Sequence, residues 1–468
     1  IDRADFIVTL LKNNERLLRE HDRWRRTSRA VLSLHKDRDD VLKASLALQE
    51  KRDRTQIVGR VLIEMAICTS PLKEGRFPSQ ADIDYLGSQV LLLIATAAHS
   101  DAVRNGCADA AMRVLQLGDF TFGDNFMGVM RPYIASHFER THLAGVKNYE
   151  DMFSPSREQP KTQEEVFGQE FVEGFSDEFG IAPGRLAELG VILGDDAIAR
   201  RAVVVVENVS SWGEMLTRAG FSATEIEGLQ RSFVLKPRDR WDSVTRPFRN
   251  KDWVPWRYRR RLSLMTRPFV DLGDGRIAYA PGFCEDSFRH TVMESFNGAF
   301  ENEYFDTIRM KKYVGAANAR RGLEFNKAIG DIFGAGGWNV RLEVGMTELE
   351  APADEASGDV DVLAWKGDAF CVCECKELLF ARNVSEVADQ LKRFRGNPGD
   401  DLDKHLRRAR FIQSHPDTLL RITNIERPRV IPLLVTSKIV PMQFTKTVTT
   451  QVVSADQITV DFLAALLR

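Results

Sequence analysis

Gly358-Asp-Val-Asp-Val-Leu-Ala-Trp365, a short turn, and Ala369-Phe-Cys-Val-Cys-Glu-Cys-Lys376 form the stretch on which the reading of this chain turns. Both runs have the composition of β-strands, in which side chains alternate between two faces. In the second run Cys371, Cys373 and Cys375 project to one side, and Val372, Glu374 and Lys376 to the other. Three thiols along one strand are badly arranged for tetrahedral zinc, and no CxxC or HxxxH accompanies them. They read as small buried apolar residues behind the strand. An apolar strand that admits Glu374 and Lys376 on its other face needs a reason. On adjacent strands, Asp361, Glu374 and Lys376 would surround one divalent cation and its water, the groups that phosphodiester hydrolysis requires. Asp359 shares the face of Asp361, so either can be the ligand. Asp361 is preferred, because Val360, Val362 and Leu363 set it inside the strand.

The flanks extend the pattern. Arg321–Phe333 reads as a helix with an apolar face of Leu323, Phe325, Ile329, Ile332 and Phe333. Gly334-Ala-Gly-Gly337 ends it and precedes a strand, so it is a stop and turn rather than a phosphate-cradling loop. Asn339–Val344, Asp359–Trp365 and Ala369–Lys376 follow as strands. Ser385–Phe394 reads as a helix capped by Ser385, with Glu386 in its first turn. Val430–Thr436 is a last strand.

That order of helix, three strands, helix and strand, with Glu324 on the helix, Asp361 on a strand and a following Glu374-x-Lys376, resembles the restriction-endonuclease-like superfamily, the PD-(D/E)XK nucleases. The resemblance covers about 315 to 440. It implies that Asp361 and Glu374 hold Mg2+, with Mn2+ able to substitute, and that Glu324 joins them directly or through water. Lys376 would serve the attacking water, Gln390 would stand beside the site, and the product would carry a 5′-phosphate. Val360 stands where the named motif has Pro, a departure that many members share. Independently of the resemblance, magnesium takes hard oxygen ligands and retains waters, so two or three carboxylates suffice.

At 468 residues the chain exceeds one compact core. The expectation is a multidomain α+β protein: a mostly helical region at 1–149, a mixed region at 150–310, and an α/β restriction-endonuclease-like domain at 311–468. Apolar residues at helical spacing (Phe6-Ile7, Leu10-Leu11, Leu17-Leu18, Val58, Val61-Leu62, Met65) support the first of these. Residues 150–196 hold twelve acidic residues against three basic ones, with Pro155 and Pro160 near their start, and read as a linker followed by short helices. Residues 231–268 reverse this, with twelve Arg and Lys against three Asp, interleaved with Phe233, Trp241, Phe248, Trp253, Trp256 and Tyr258. Arg257, Arg259, Arg260 and Arg261 form the densest part. Two readings stay open: phosphate and base contact, or aromatic packing with the arginines paired to the acidic segment. Phe269–Leu272 and Arg276–Ala280 read as a hairpin, and helix returns from Phe288 to about Met310. Lys392, Arg393, Arg395, Lys404, Arg407, Arg408 and Arg410 can position phosphate or pair with Asp400, Asp401 and Asp403.

Composition excludes other classes. Six cysteines make no disulfide framework, and a reducing, cytoplasmic setting is expected. Val90–Ala98, the longest apolar stretch, is too short to span a bilayer, so no membrane partner is expected. The first residue is Ile, compatible with a segment preceding it. No GxxxxGK[ST] loop, GxSxG elbow or HExxH occurs, which removes common ATPase, serine hydrolase and zinc protease designs. The leading expectation is a metal-dependent nuclease, with DNA favoured over RNA, in defence against foreign DNA or in repair. Its rival is a non-catalytic nucleic-acid-binding or assembly protein. Cutting both strands of a duplex would call for a homodimer, and residues 1–310 are where a regulatory partner would act.

Overall fold

A computed structural model describes the whole chain except residues 33–36, 73–74, 106–111, 115–119, 123–127, 138–165, 258, 352–357, 382, 424, 426–427 and 446–447. The linker read at 150–165, with Pro155 and Pro160, and Tyr258 therefore lie outside the described residues. The protein is multidomain α+β and forms two compact units, each drawn from two stretches of chain: 1–97 with 153–317, and 98–152 with 318–468.

In the first unit, α1 (Arg3–Leu32) packs along α2 (Arg38–Thr69). Helix α3 (Gln80–Arg104) begins here and ends in the second unit. Further on come α4 (Gln169–Phe179), α5 (Pro183–Ala199), β1 (Val205–Asn208), α6 (Val209–Arg218), α7 (Ala223–Ser232) and β2 (Val234–Leu235). The expected hairpin is present as β3 (Phe269–Asp271) and β4 (Arg276–Tyr279), and α8 (Pro281–Phe296) follows. The four strands form one mixed sheet in the order β1-β4-β3-β2.

Both faces of this sheet are covered, and adjacent residues along its strands enter different cores. Val234, Phe269, Ile277 and Tyr279 join the core of Phe171, Phe175 and Trp212. Leu235, Val270 and Ala278 join Phe6, Ile7, Leu10, Leu11 and Val61 from α1 and α2. A short strand that is apolar on both sides is stable only between two layers. This is why residues 1–97 belong with the middle of the chain, although composition alone suggests a boundary near 150. Glu15 on α1 is part of the same joint: its Oε2 accepts the Phe283 N–H at 3.0 Å, at the start of α8. Residues 297–307 are not α-helical, so the helix expected from Phe288 to Met310 is two helices. The second is α9 (Ile308–Ala335), which ends in the other unit.

The arginine-rich segment lies in the first unit and is engaged there. Arg259 Nε pairs with Glu294 at 2.9 Å, and Arg261 forms a two-pronged pair with Asp306. Arg260 is 3% exposed and pairs with buried Glu64, whose other oxygen accepts Leu264 N–H at 2.8 Å. Arg260 therefore has no surface from which to reach a phosphate, which corrects its assignment to nucleic-acid contact. The partners Glu64, Glu294 and Asp306 also lie outside the acidic segment at 150–196. Trp241, Trp253 and Trp256 meet edge to face. Replacing Arg260 with Ala strands a buried carboxylate, so urea or thermal unfolding is expected to show a loss of about 3–5 kcal/mol.

The apolar stretch Val90–Ala98 lies within α3. The 25-residue helix is by length and composition long enough to cross a membrane, which alone does not place it in one.

The second unit is built on a five-stranded mixed sheet. Its strands are β5 (Asn339–Gly345), β6 (Asp359–Lys366), β7 (Ala369–Lys376), β8 (Arg429–Thr436) and β9 (Gln451–Ser454), in spatial order β9-β8-β7-β6-β5. The pairs β5/β6 and β6/β7 are antiparallel; β7/β8 and β8/β9 are parallel. Between β7 and β8 lie α10 (Val384–Arg393), α11 (Asp401–Ser414) and α12 (Pro416–Thr423), and α13 (Val460–Ala465) follows β9. Cys371, Cys373 and Cys375 pack with Ile329 and Phe333 of α9 and Leu463 of α13. They are free thiols, and burial pushes them up, Cys371 to about 12. Leu363, Phe370 and Val372 on the other face meet Phe411 and Ile412 of α11 and Leu419 of α12. The cap of α10 is Asn383, which accepts Glu386 N–H at 2.9 Å. Ser385, expected as the cap, is buried and donates to Asp101 at 2.7 Å.

Candidate active site

The antiparallel register of β6 and β7 runs from Lys366↔Ala369 to Val362↔Cys373 and ends there, one residue short of Asp361 and Glu374. Beyond Val362 the strands no longer pair, and the side chain of Asp361 fills the fork. Its Oδ2 accepts the Cys375 N–H at 2.7 Å. Burial, then the nearby Glu374 charge, raises the Asp361 carboxyl from 3.8 to about 6, against the pull of Lys376 and Cys375 N–H.

On the other side of β6, the register skips one pair. Leu342 faces Val362 and Val344 faces Val360, but Glu343, the residue between, breaks the ladder opposite Asp361. Its φ is 51°, in the left-handed region that a residue with a side chain enters at about 1–3 kcal/mol. Such strain collects where a side chain must be re-aimed. Ligand oxygens of Glu343, Asp359 and Asp361 lie within 4.8 Å of one another, the group of this kind found among the described residues. Burial raises the Glu343 carboxyl, Asn326 of α9 donates to it and lowers it, and the Asp359 carboxyl beside it raises it again. Three gathered acids, two of them inclined to keep a proton, form an oxygen donor set that a hard divalent cation fits.

Glu374, 5% exposed, stands next to this group with both oxygens occupied: Oε1 is 2.7 Å from Lys376 Nζ, and Oε2 is 2.7 Å from Arg408 Nη2. Burial lowers the affinity of Lys376 for its proton, but Glu374 and Asp361 outweigh this and raise it, so the amine stays charged. His405, one turn before Arg408, is 1% exposed, and its Nε2 lacks a hydrogen-bond partner. Burial, Arg408 and Lys376 push it down to about 3, so it is neutral.

Of the residues singled out from the sequence, Asp359, Asp361, Glu374 and Lys376 come together. Glu324 does not: it is exposed on α9, while Asn326 on the buried side of that helix reaches Glu343. Gln390 Nε2 donates to Leu379 O at 2.7 Å, bracing the chain that leaves β7, and its Oε1 is buried without a partner. Arg393 pairs with Asp401 at 2.7 Å, Arg407 with Asp403 at 3.2 Å, and Lys392 is exposed. Arg257 is half-buried, its carbonyl accepting Arg260 Nε. Glu343, Asn326 and His405 were missed. The signal for Glu343 is an acid at the alternating position of a strand that pairs with the strand of Asp361.

Fold and site together define a two-unit α+β protein with an acidic cluster and a charged lysine at one end of its larger sheet. Over residues 1–459 the chain matches the family described as anti-phage protein Upx-like, and it belongs to that family. The match spans both units and supports a role in defence against phage. No curated protein matches it, and neither does any solved structure.

Proposed function

We propose that the second unit is a Mg2+-dependent nuclease that hydrolyses phosphodiester bonds in phage nucleic acid, with DNA favoured over RNA. The observation that carries this reading is the convergence of Glu343, Asp359 and Asp361 beside Lys376. Those three acids would hold the cation, with Mn2+ able to substitute. A divalent cation there supplies a water of lowered pKa and offsets charge gathering at phosphorus. Lys376, kept charged by Glu374 and Asp361, stabilises the same developing charge with its ammonium. The Cys375 N–H fixes one oxygen of Asp361, and Asn326 fixes one of Glu343, so the acids are oriented before substrate arrives. The element order of helix, three strands, then helices and a further strand parallel to the third supports the restriction-endonuclease-like reading of this unit.

Phage defence alone would also suit a non-catalytic nucleic-acid-binding protein, and the double pairing of Glu374 favours that alternative. Supercoiled plasmid, linear duplex and single-stranded RNA incubated with the purified chain separate the two. Nicking or linearisation that requires Mg2+ or Mn2+ and stops with EDTA is the expected outcome. Binding without cleavage on every substrate favours the alternative.

A further inference from the structure

Glu374 is committed on both sides in the free protein. Lys376 holds Oε1 and Arg408 holds Oε2, each at 2.7 Å. Arg408 comes from α11 and also donates Nη1 to the carbonyl of Asp359, so one guanidinium ties Glu374 to the strand that carries Asp359 and Asp361. Its side chain is 11% exposed, and its Nε is buried without a hydrogen-bond partner. The neighbouring group of Glu343, Asp359 and Asp361 is the reverse case: carboxyls gathered together, with Asn326 donating to Glu343 and the Cys375 N–H to Asp361.

Removing Arg408 from Glu374 leaves a buried guanidinium unpaired and Glu374 held by Lys376 alone, which is unfavourable unless both find new partners. A guanidinium matches the two free oxygens of a phosphodiester as well as it matches a carboxylate. A cation held by Asp361 would in turn give Glu374, one residue past the last β6/β7 pair, a partner to replace the lost one. The two exchanges are favourable together and costly apart.

We propose, resting on the nuclease reading above, that Arg408 is a latch: it keeps Glu374 off the cation site in the free protein and trades it for a phosphodiester oxyanion when nucleic acid binds. Cation and nucleic acid then bind cooperatively, each raising the affinity of the other by the same factor. Arg408 is thus a positioning residue that acts through Glu374. The latch would keep a defence protein from assembling its full metal site away from substrate.

The test uses the full chain and the free Mn2+ signal in electron paramagnetic resonance. Titrations are run alone, with a phosphorothioate DNA duplex and with phosphorothioate RNA, at a temperature where the circular dichroism of the variants matches wild type. Mn2+ affinity is expected to rise about tenfold with whichever nucleic acid binds. Glu374→Gln should bind Mn2+ alone about as well as wild type yet lose that gain. Arg408→Gln should bind Mn2+ more tightly than wild type without nucleic acid, and gain little from adding it. Mn2+ binding that ignores nucleic acid in the wild type, or a tenfold gain kept by Glu374→Gln, overturns the latch alone. No Mn2+ binding under any condition overturns the latch and the nuclease reading together.

Discussion

Lys376→Ala is expected to lower plasmid cleavage by about 10²–10³-fold while leaving nucleic-acid affinity within a few-fold of wild type. The ammonium is held by Glu374 at 2.7 Å and feels Asp361, so its charge survives burial at neutral pH. Removing it takes away stabilisation of charge that develops only at the transition state, which costs turnover and not ground-state binding. Lys376→Arg keeps the charge but not the compact geometry, and partial activity is expected. Cleavage rates with filter or anisotropy binding on the same preparations decide the matter. A variant that cuts at the wild-type rate removes Lys376 from the chemistry.

Asp361→Asn is expected to make the cation-free protein more stable above pH 6. The folded carboxyl holds its proton up to about 6, against an ordinary 3.8, so the folded state binds protons more tightly than the unfolded chain. Stability therefore falls as pH rises through this window. Below 3.8 both states are protonated and there is no penalty, and above 6 the full cost of a buried carboxylate is present, about 3 kcal/mol. Asparagine carries no such charge and can still accept the Cys375 N–H. In the wild type, Mg2+ should recover much of the loss at pH 7.5 and little at pH 5, by about 2–3 kcal/mol at saturating cation. The variant should show no Mg2+ gain at either pH. Thermal melts at both pH values, with Mg2+ or EDTA, give the four numbers needed. A destabilised variant, or one that Mg2+ stabilises as strongly as wild type, would contradict the assignment of Asp361 as a ligand.

Local pattern carried much of the larger sheet and part of the site. Strand alternation placed the three cysteines on one face of their strand and Val372 on the other, and Ala369–Lys376 is a strand over the expected residues. The acid contributed by β5 was not visible, because pairing between strands separated by residues 346–358 leaves no trace in either run. The apolar face read for α9 holds for Phe325, Ile329, Ile332 and Phe333, while Leu323 is 54% exposed and Asn326 is buried. Two residues along a helix turn the side chain by about 200°, so choosing Glu324 over Asn326 selected the side away from Glu343. The cap of α10 was read two residues late, since Ser385 is a good cap in isolation and the tertiary bond to Asp101 is not local. The hairpin at Phe269–Leu272 and Arg276–Ala280 was legible, but not that 1–97 supplies one of the two layers covering it.

The second unit is discontinuous in sequence, and this governs how the protein can be cut. Asp101 and Asn105 reach Ser385 and Asp389 of α10, and the Tyr133 hydroxyl is bonded to both the N–H and the carbonyl of Ala381. A fragment begun near residue 311 discards all three braces, and its inactivity would report a broken scaffold instead of a missing activator. Excision has to splice 98–152 onto 318–468, and proteolysis between the units needs three nicks, near 97, 152 and 317, before either unit is released.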